Sequence, residues 1–111
     1  MSDTRVVFKN GRGERLVGVL HGAPAPAMVV SCHGMFSSKD GAKHLALADA
    51  LAGLGLSVLR FDFAGAGESD GSVYDLSYTA RMQDLDAAIE FLARQGVQRL
   101  GLFGSSMGGA V

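Results

Sequence analysis

Short apolar runs of strand length alternate along this chain with segments in which apolar residues recur every three or four positions. Residues 4–10, TRVVFKN, and 15–22, RLVGVLHG, are β-branched or apolar and flank the glycine-bearing turn GRGE, which predicts an antiparallel hairpin. After APAPA, the run AMVVSCHG (27–34) is continuously apolar, as a strand covered on both faces should be. DGAKHLALADALAGLG then sets Leu45, Ala48, Leu51 and Ala52 at helical spacing, with Gly53 and Gly55 at the stop. LSVLRFDF (56–63) predicts a further buried strand. Beyond the loop AGAGESDGSVYDLSY, the segment TARMQDLDAAIEFLARQG spaces Met82, Leu85, Ile89 and Leu92 by 3, 4 and 3 residues, which predicts one buried helix face ending at Gly96. Glu90 and Arg94 form an i,i+4 pair, and Asp84, Asp86 and Glu90 fall on the solvated side. VQRLGLF (97–103) is the last strand.

Strand, helix, strand, helix, strand demands a parallel sheet with right-handed crossovers, so the fold class is α/β: a mostly parallel sheet with an N-terminal antiparallel hairpin. At 111 residues the chain is the size of one small domain, and 48% hydrophobic against 19% charged residues fits a buried sheet rather than a disordered tail. A net charge of -1 gives no electrostatic footprint for nucleic acid or an anionic membrane surface. The N-terminus MSDTRVVFKN lacks an apolar core behind a basic start, and no apolar run reaches membrane-spanning length. A single cysteine, Cys32, makes no internal disulfide and reads as a small buried residue. These features predict a soluble, cytoplasmic protein with no nucleic-acid or membrane partner.

Candidate chemistry gathers at the end of the last strand, in LGLFGSSMGGAV. Ser106 has glycine two positions before it, Gly104, and two after, Gly108, whereas the same test on Ser105 finds Phe103 and Met107. The G-x-S-x-G spacing is steric in origin. A sharp strand-to-helix turn exposes the serine hydroxyl and brings its neighbours so close to the backbone that little more than hydrogen fits. Competing glycine-loop readings fail on residue type. A phosphate-binding loop ends in Gly-Lys-Ser/Thr and no lysine is present in this stretch, while GAGESDG has the wrong third spacing for a dinucleotide fingerprint and leads into a loop. His21 reads as structural at a strand end and His44 as a solvated residue in the first turns of a helix. Asp62 reads as a strand-end carboxylate serving loop amides, and Asp70 as a turn former.

SCHGMFSSKDGAKHLALADALAGLGLSVLRFDFAGAGESDG followed by LGLFGSSMGG resembles the α/β-hydrolase family, in particular its serine esterases and serine aminopeptidase-like hydrolases. Three motifs in order carry the resemblance: His33-Gly34 after the third strand, residues 62–69 after the fourth, and the elbow around Ser106 after the fifth. The resemblance implies a nucleophilic Ser106, an oxyanion hole made by the backbone N–H groups of Met35 and Met107, supporting roles for His33, Gly34, Gly104 and Gly108, and a small-molecule acyl substrate. It implies no metal and no organic cofactor, and no His/Cys/Glu cluster has ligand spacing. In that family the acid and then the histidine of the triad follow the serine, and here all three histidines precede it. Residues 1–111 are therefore expected to be the first part of one such domain, carrying five of the usual eight strands and stopping just after the elbow. The fifth strand is then expected to be an apolar edge through which the isolated segment self-associates. Two functions follow from this reading: an acyl-ester hydrolase completed by later residues, or a non-catalytic ligand-binding or fusion module that kept the scaffold.

Overall fold

The structure, a computed structural model, describes residues 3–23, 25–33, 38–71 and 78–104. Its elements run β1 (Asp3–Lys9), β2 (Arg15–His21), β3 (Ala27–Cys32), α1 (Ala42–Gly53), β4 (Ser57–Phe61), α2 (Tyr78–Arg94) and β5 (Arg99–Gly104). β1 and β2 form the predicted hairpin, in register from Asp3 opposite His21 to Lys9 opposite Arg15. At its turn the Asn10 side-chain oxygen accepts the N–H groups of Arg12 and Glu14 at 2.9 and 3.0 Å, an Asx arrangement that closes the loop locally.

The sheet order is β1-β2-β4-β3-β5, with β2 antiparallel to β4 and with β3 parallel to both β4 and β5. The crossover through α1 steps from β3 to one side, and the crossover through α2 steps back past β3 to the other. Two right-handed crossovers in opposite directions put their helices on opposite faces of the sheet. The side chains agree. His44 of α1 meets Ser31 of β3, while Leu85, Ala88 and Leu92 of α2 join the apolar core with Val30 and Cys32, which point the other way from Ser31.

That core is the main apolar mass of the molecule. Leu16, Met28, Val30, Leu59, Phe61 and Phe63 are buried under α2, each side chain contributing about 1.5–3 kcal/mol of transfer free energy if fully removed from water. Phe8 stacks on Phe91 with ring centroids 5.1 Å apart and tilts against Phe61 at 5.8 Å, which ties α2 to the hairpin. Both helices end in the same hydrogen-bonded reversal. Leu56 and Gly55 donate to the carbonyls of Leu51 and Ala52, Val97 and Gly96 to those of Leu92 and Ala93, and Gly55 and Gly96 take φ of 83° and 89°. A side chain at either glycine would be strained, so the helix stops read from the sequence have a backbone cause.

The buried faces of the helices differ from the apolar spacing. Met82 is 54% exposed and Ile89 half-buried, whereas Arg81, Asp84, Leu85, Ala88 and Leu92 are buried. Asp84 is thus not on the solvated side. Its carboxylate accepts hydrogen bonds from Asn10 Nδ2 at 2.9 Å, Arg12 at 2.8 Å and the Ala64 N–H at 2.8 Å, and these partners compensate its desolvation. On α1 the buried residues are His44 and Ala48, while Leu45 is exposed. β5 is one edge of the five-stranded sheet, with Leu102 57% exposed.

This corrected face makes a sharp pair of stability predictions. Leu92→Ala should cost about 2–5 kcal/mol and Met82→Ala no more than about 0.5 kcal/mol in urea denaturation. Equal losses at the two positions would restore the stripe that the spacing alone suggests.

Candidate active site

Three strands end side by side. Phe61 closes β4 opposite Cys32 of β3, and Gly104 closes β5 opposite the same Cys32. The three predicted motif segments therefore leave the sheet from one layer, from neighbouring strands about 4.8 Å apart. β3 lies between the strands that follow the two crossovers, and the crevice beyond the carboxyl end of such a strand is where open α/β sheets hold ligands. Of the predicted site residues the structure places His33 and Gly104 here. Gly34, Met35, Ser106, Met107 and Gly108 lie outside the described residues.

His33, the first residue past β3, is fully buried and held by both its ring and its backbone. Its Nε2 accepts the Phe63 N–H at 3.0 Å, its ring meets the Phe63 ring edge-on at 5.1 Å, and its carbonyl accepts a hydrogen bond from Arg81 at 3.2 Å. A ring nitrogen that accepts a backbone N–H carries no proton, so this imidazole is engaged in joining the β3 and β4 exits.

The other two histidines are also engaged. His21 Nε2 accepts the Arg60 Nε at 2.8 Å, and its Nδ1 lies 3.0 Å from Asp3. His44 is not solvated: it is 2% exposed, its Nδ1 pairs with the Ser31 hydroxyl, and its ring packs edge-on against Phe103. Burial, and then the charges of Lys43 and Arg60, push its pKa below the ordinary 6.5. Burial likewise raises the Cys32 thiol to about 11, against the nearby charge of Arg81, so no thiolate forms there at neutral pH.

The loop after β4 is organised by Asp62. Its fully buried carboxylate accepts the N–H groups of Lys39 and Glu68 at 2.7 and 2.9 Å, and also the Lys39 ammonium at 3.0 Å. That ammonium bonds Asp40 at 3.1 Å and Glu68 at 2.7 Å as well. Burial alone would lower the Lys39 pKa, but the hydrogen bonds to Glu68, Asp62 and Asp40 outweigh it and leave it raised. Gly67 makes this cradle possible. It takes φ of 47°, and a Cβ there would fall 2.3 Å from Asp62 Oδ2. Asp70 anchors the far end of the loop by accepting the Arg15 N–H at 2.9 Å and hydrogen bonds from its guanidinium.

Two residues at this site escape a reading of the sequence. Lys39 sits in SSKDG, a segment with the look of a solvated loop. Arg81 is 2% exposed, with its guanidinium 4.4 Å above the Phe63 ring, and burial lowers its pKa against the opposing effects of Asp84 and Cys32. A signal for Arg81 did exist: 81, 85, 88 and 92 follow a helical spacing of 4, 3 and 4 that shares Leu85 and Leu92 with the stripe read from the sequence.

Comparison with known proteins places most of the chain in one family. Residues 23–111 match the family described as serine aminopeptidase, S33. An uncharacterised Mycobacterium tuberculosis protein is 40% identical over 113 residues, covering 96% of this chain and 38% of that protein. The mitochondrial palmitoyl-protein thioesterase ABHD10 of Bos taurus is 35% identical over 81 residues, 73% of this chain and 26% of its own length. Among solved structures, an esterase of Pyrococcus furiosus superposes with a TM-score of 0.84 at 25% identity, over 96% of this chain and 44% of the esterase. The chain thus spans well under half the length of these relatives.

His44 gives the fold a testable acid sensitivity. Above pH 6.5 the ring is neutral in folded and unfolded chains alike. Below it the unfolded chain takes up a proton that the folded one refuses, so stability is full above 6.5 and is lost as pH falls toward the lower folded-state value. His44→Gln, whose amide can still hydrogen-bond the Ser31 hydroxyl, should lose less stability than the native protein as the pH falls below 6.5 in denaturant titrations. Parallel losses in the two proteins would remove His44 as the cause.

Proposed function

Because the chain belongs to the serine aminopeptidase S33 family of α/β-hydrolases, we propose that the full-length protein is a serine hydrolase that cleaves carboxylic acyl esters through Ser106. The observation that carries the reading is the shared register of the β3 and β5 ends. Cys32 and Gly104 are opposite one another, so the segment with Met35 and the segment with Ser106 and Met107 start from adjacent points at the switch in strand order.

In this reading the Ser106 hydroxyl attacks the substrate carbonyl and its proton passes to a histidine. The tetrahedral oxyanion is held by the N–H groups of Met35 and Met107, each such donor being worth about 3 kcal/mol in the transition state. The alcohol leaves with the proton returned by that histidine, and water then releases the acid from the acyl-serine by the same steps in reverse. The histidine and its carboxylate partner come from outside residues 1–111. His21, His33 and His44 precede the serine, contrary to the order the fold uses, and each already spends a ring nitrogen on a fixed partner. The Pyrococcus esterase supports oxygen esters as substrates, and the thioesterase relative adds thioesters to the acyl groups worth assaying.

Replacing Ser106 by Ala in the full-length protein should abolish covalent labelling by a fluorophosphonate and lower kcat on a p-nitrophenyl acyl ester by about 10⁴-fold or more. Labelling that persists at another residue of the variant would reject Ser106 as the nucleophile.

A further inference from the structure

Arg81 is a buried cation that the proposed chemistry does not use. Lys39 and Arg60 are buried too, but each makes ion pairs, Lys39 with Asp40, Asp62 and Glu68 and Arg60 with Asp40. Arg81 forms no salt bridge among the described residues, and its Nε is the one buried side-chain nitrogen or oxygen among them without a hydrogen-bond partner. Such a residue is a poor choice for stability. An apolar side chain of similar volume would cover the same core surface without desolvating a charge, and replacements of that kind are often neutral or stabilising.

What Arg81 touches suggests another purpose. Its guanidinium donates to the His33 carbonyl and lies on the Phe63 ring, and the Phe63 N–H in turn holds the His33 ring. One residue of α2 thus grips the β3 exit directly through the carbonyl and indirectly through Phe63. The peptide bond bearing that carbonyl is planar, so holding its oxygen constrains the whole peptide unit from which residues 34–37 continue. That segment contains Met35, one of the two proposed oxyanion donors.

We propose that Arg81 is a positioning residue: its hydrogen bond to the His33 carbonyl sets the orientation in which the chain leaves β3, and with it the Met35 arm of the oxyanion hole, at a cost in stability. The kinetic half of this inference rests on the serine-hydrolase reading, while its structural half, the hold on His33, does not.

The test uses Arg81→Met, Arg81→Lys and Ser106→Ala in the full-length protein. Arg81→Met should keep Tm within about 5 °C of the native value or raise it. It should lower kcat on a p-nitrophenyl acyl ester by about 10- to 100-fold while KM changes by less than about threefold, because a misplaced donor acts on the transition state more than on the bound ester. The ¹³C resonance of the His33 carbonyl should move and exchange of the Phe63 amide should quicken. Arg81→Lys, which keeps a cationic donor, should recover part of kcat. The proposal is overturned if folded Arg81→Met retains kcat within about twofold, if kcat falls with no change at the His33 carbonyl, or if both variants lose kcat and Tm together. Should Arg81→Met not fold, Arg81→Gln is judged by the same readouts. Labelling that survives in Ser106→Ala defeats the hydrolase reading instead. The hold on His33 is then decided by the carbonyl resonance and Phe63 exchange alone, with unchanged values overturning it.

Discussion

A carboxylate cannot be taken out of water at the end of a sheet unless every one of its oxygens is met. Asp62 is fully buried where β4 gives way to its loop, and the arrangement of the surrounding chain follows from satisfying it. Two backbone N–H groups and one ammonium converge on it from residues 39 and 68, so the segments after β3 and after β4 are drawn to a common point. Removing one partner from a buried ion pair of this kind typically costs about 3–5 kcal/mol, more than most single apolar contacts at the same depth. The glycine at position 67 is a consequence of that convergence, since the carboxylate occupies the space a side chain would need.

The two faces of the sheet have divided their tasks. Beneath α2 the contacts are mostly apolar, built from aromatic and aliphatic residues that hold the helix to the sheet. Beneath α1 the sheet presents Ser31, Arg60 and His21, and the helix answers with His44 and the adjoining loop with Lys39 and Asp40. Polar burial of this sort gives orientation rather than net stability, because each group must be matched in place while apolar surfaces can slide. The loops nearest the strand ends are held by the polar side, and Arg81 and Asp84 carry polar anchoring around to the α2 side as well.

Much of this was legible in the residues. The turn chemistry of GRGE, the mostly apolar runs of β3 and β4, and the glycines after each helix announced element type and approximate ends because their causes are local. The ends of β3, β4 and β5 were legible for the same reason, each strand stopping where its apolar run stops. The buried charges were not. Asp84 is tolerated in the core because Asn10, 74 positions earlier, reaches it, and Lys39 because Asp62 and Glu68 lie 23 and 29 positions later. His44 depends in the same way on Ser31. A periodicity argument sends a charge to water by default, and only the sheet order reveals which charges have a partner waiting inside.

The strand order also bears on how the chain can be assembled as it is made. β2 and β3 emerge early and in succession, yet they are not neighbours, because β4 lies between them. Until α1 and β4 have been synthesised, the growing chain therefore displays two facing strand edges whose common partner does not yet exist. Local hairpin pairing can protect one edge of β2 during that interval, but β3 has no local partner at all, and its pairing with β5 spans some seventy residues. The most apolar strand of the sheet is thus the one that waits longest, which makes the interval between translation of residues 32 and 104 the period when nascent chains are most exposed to mispairing and most in need of chaperone protection.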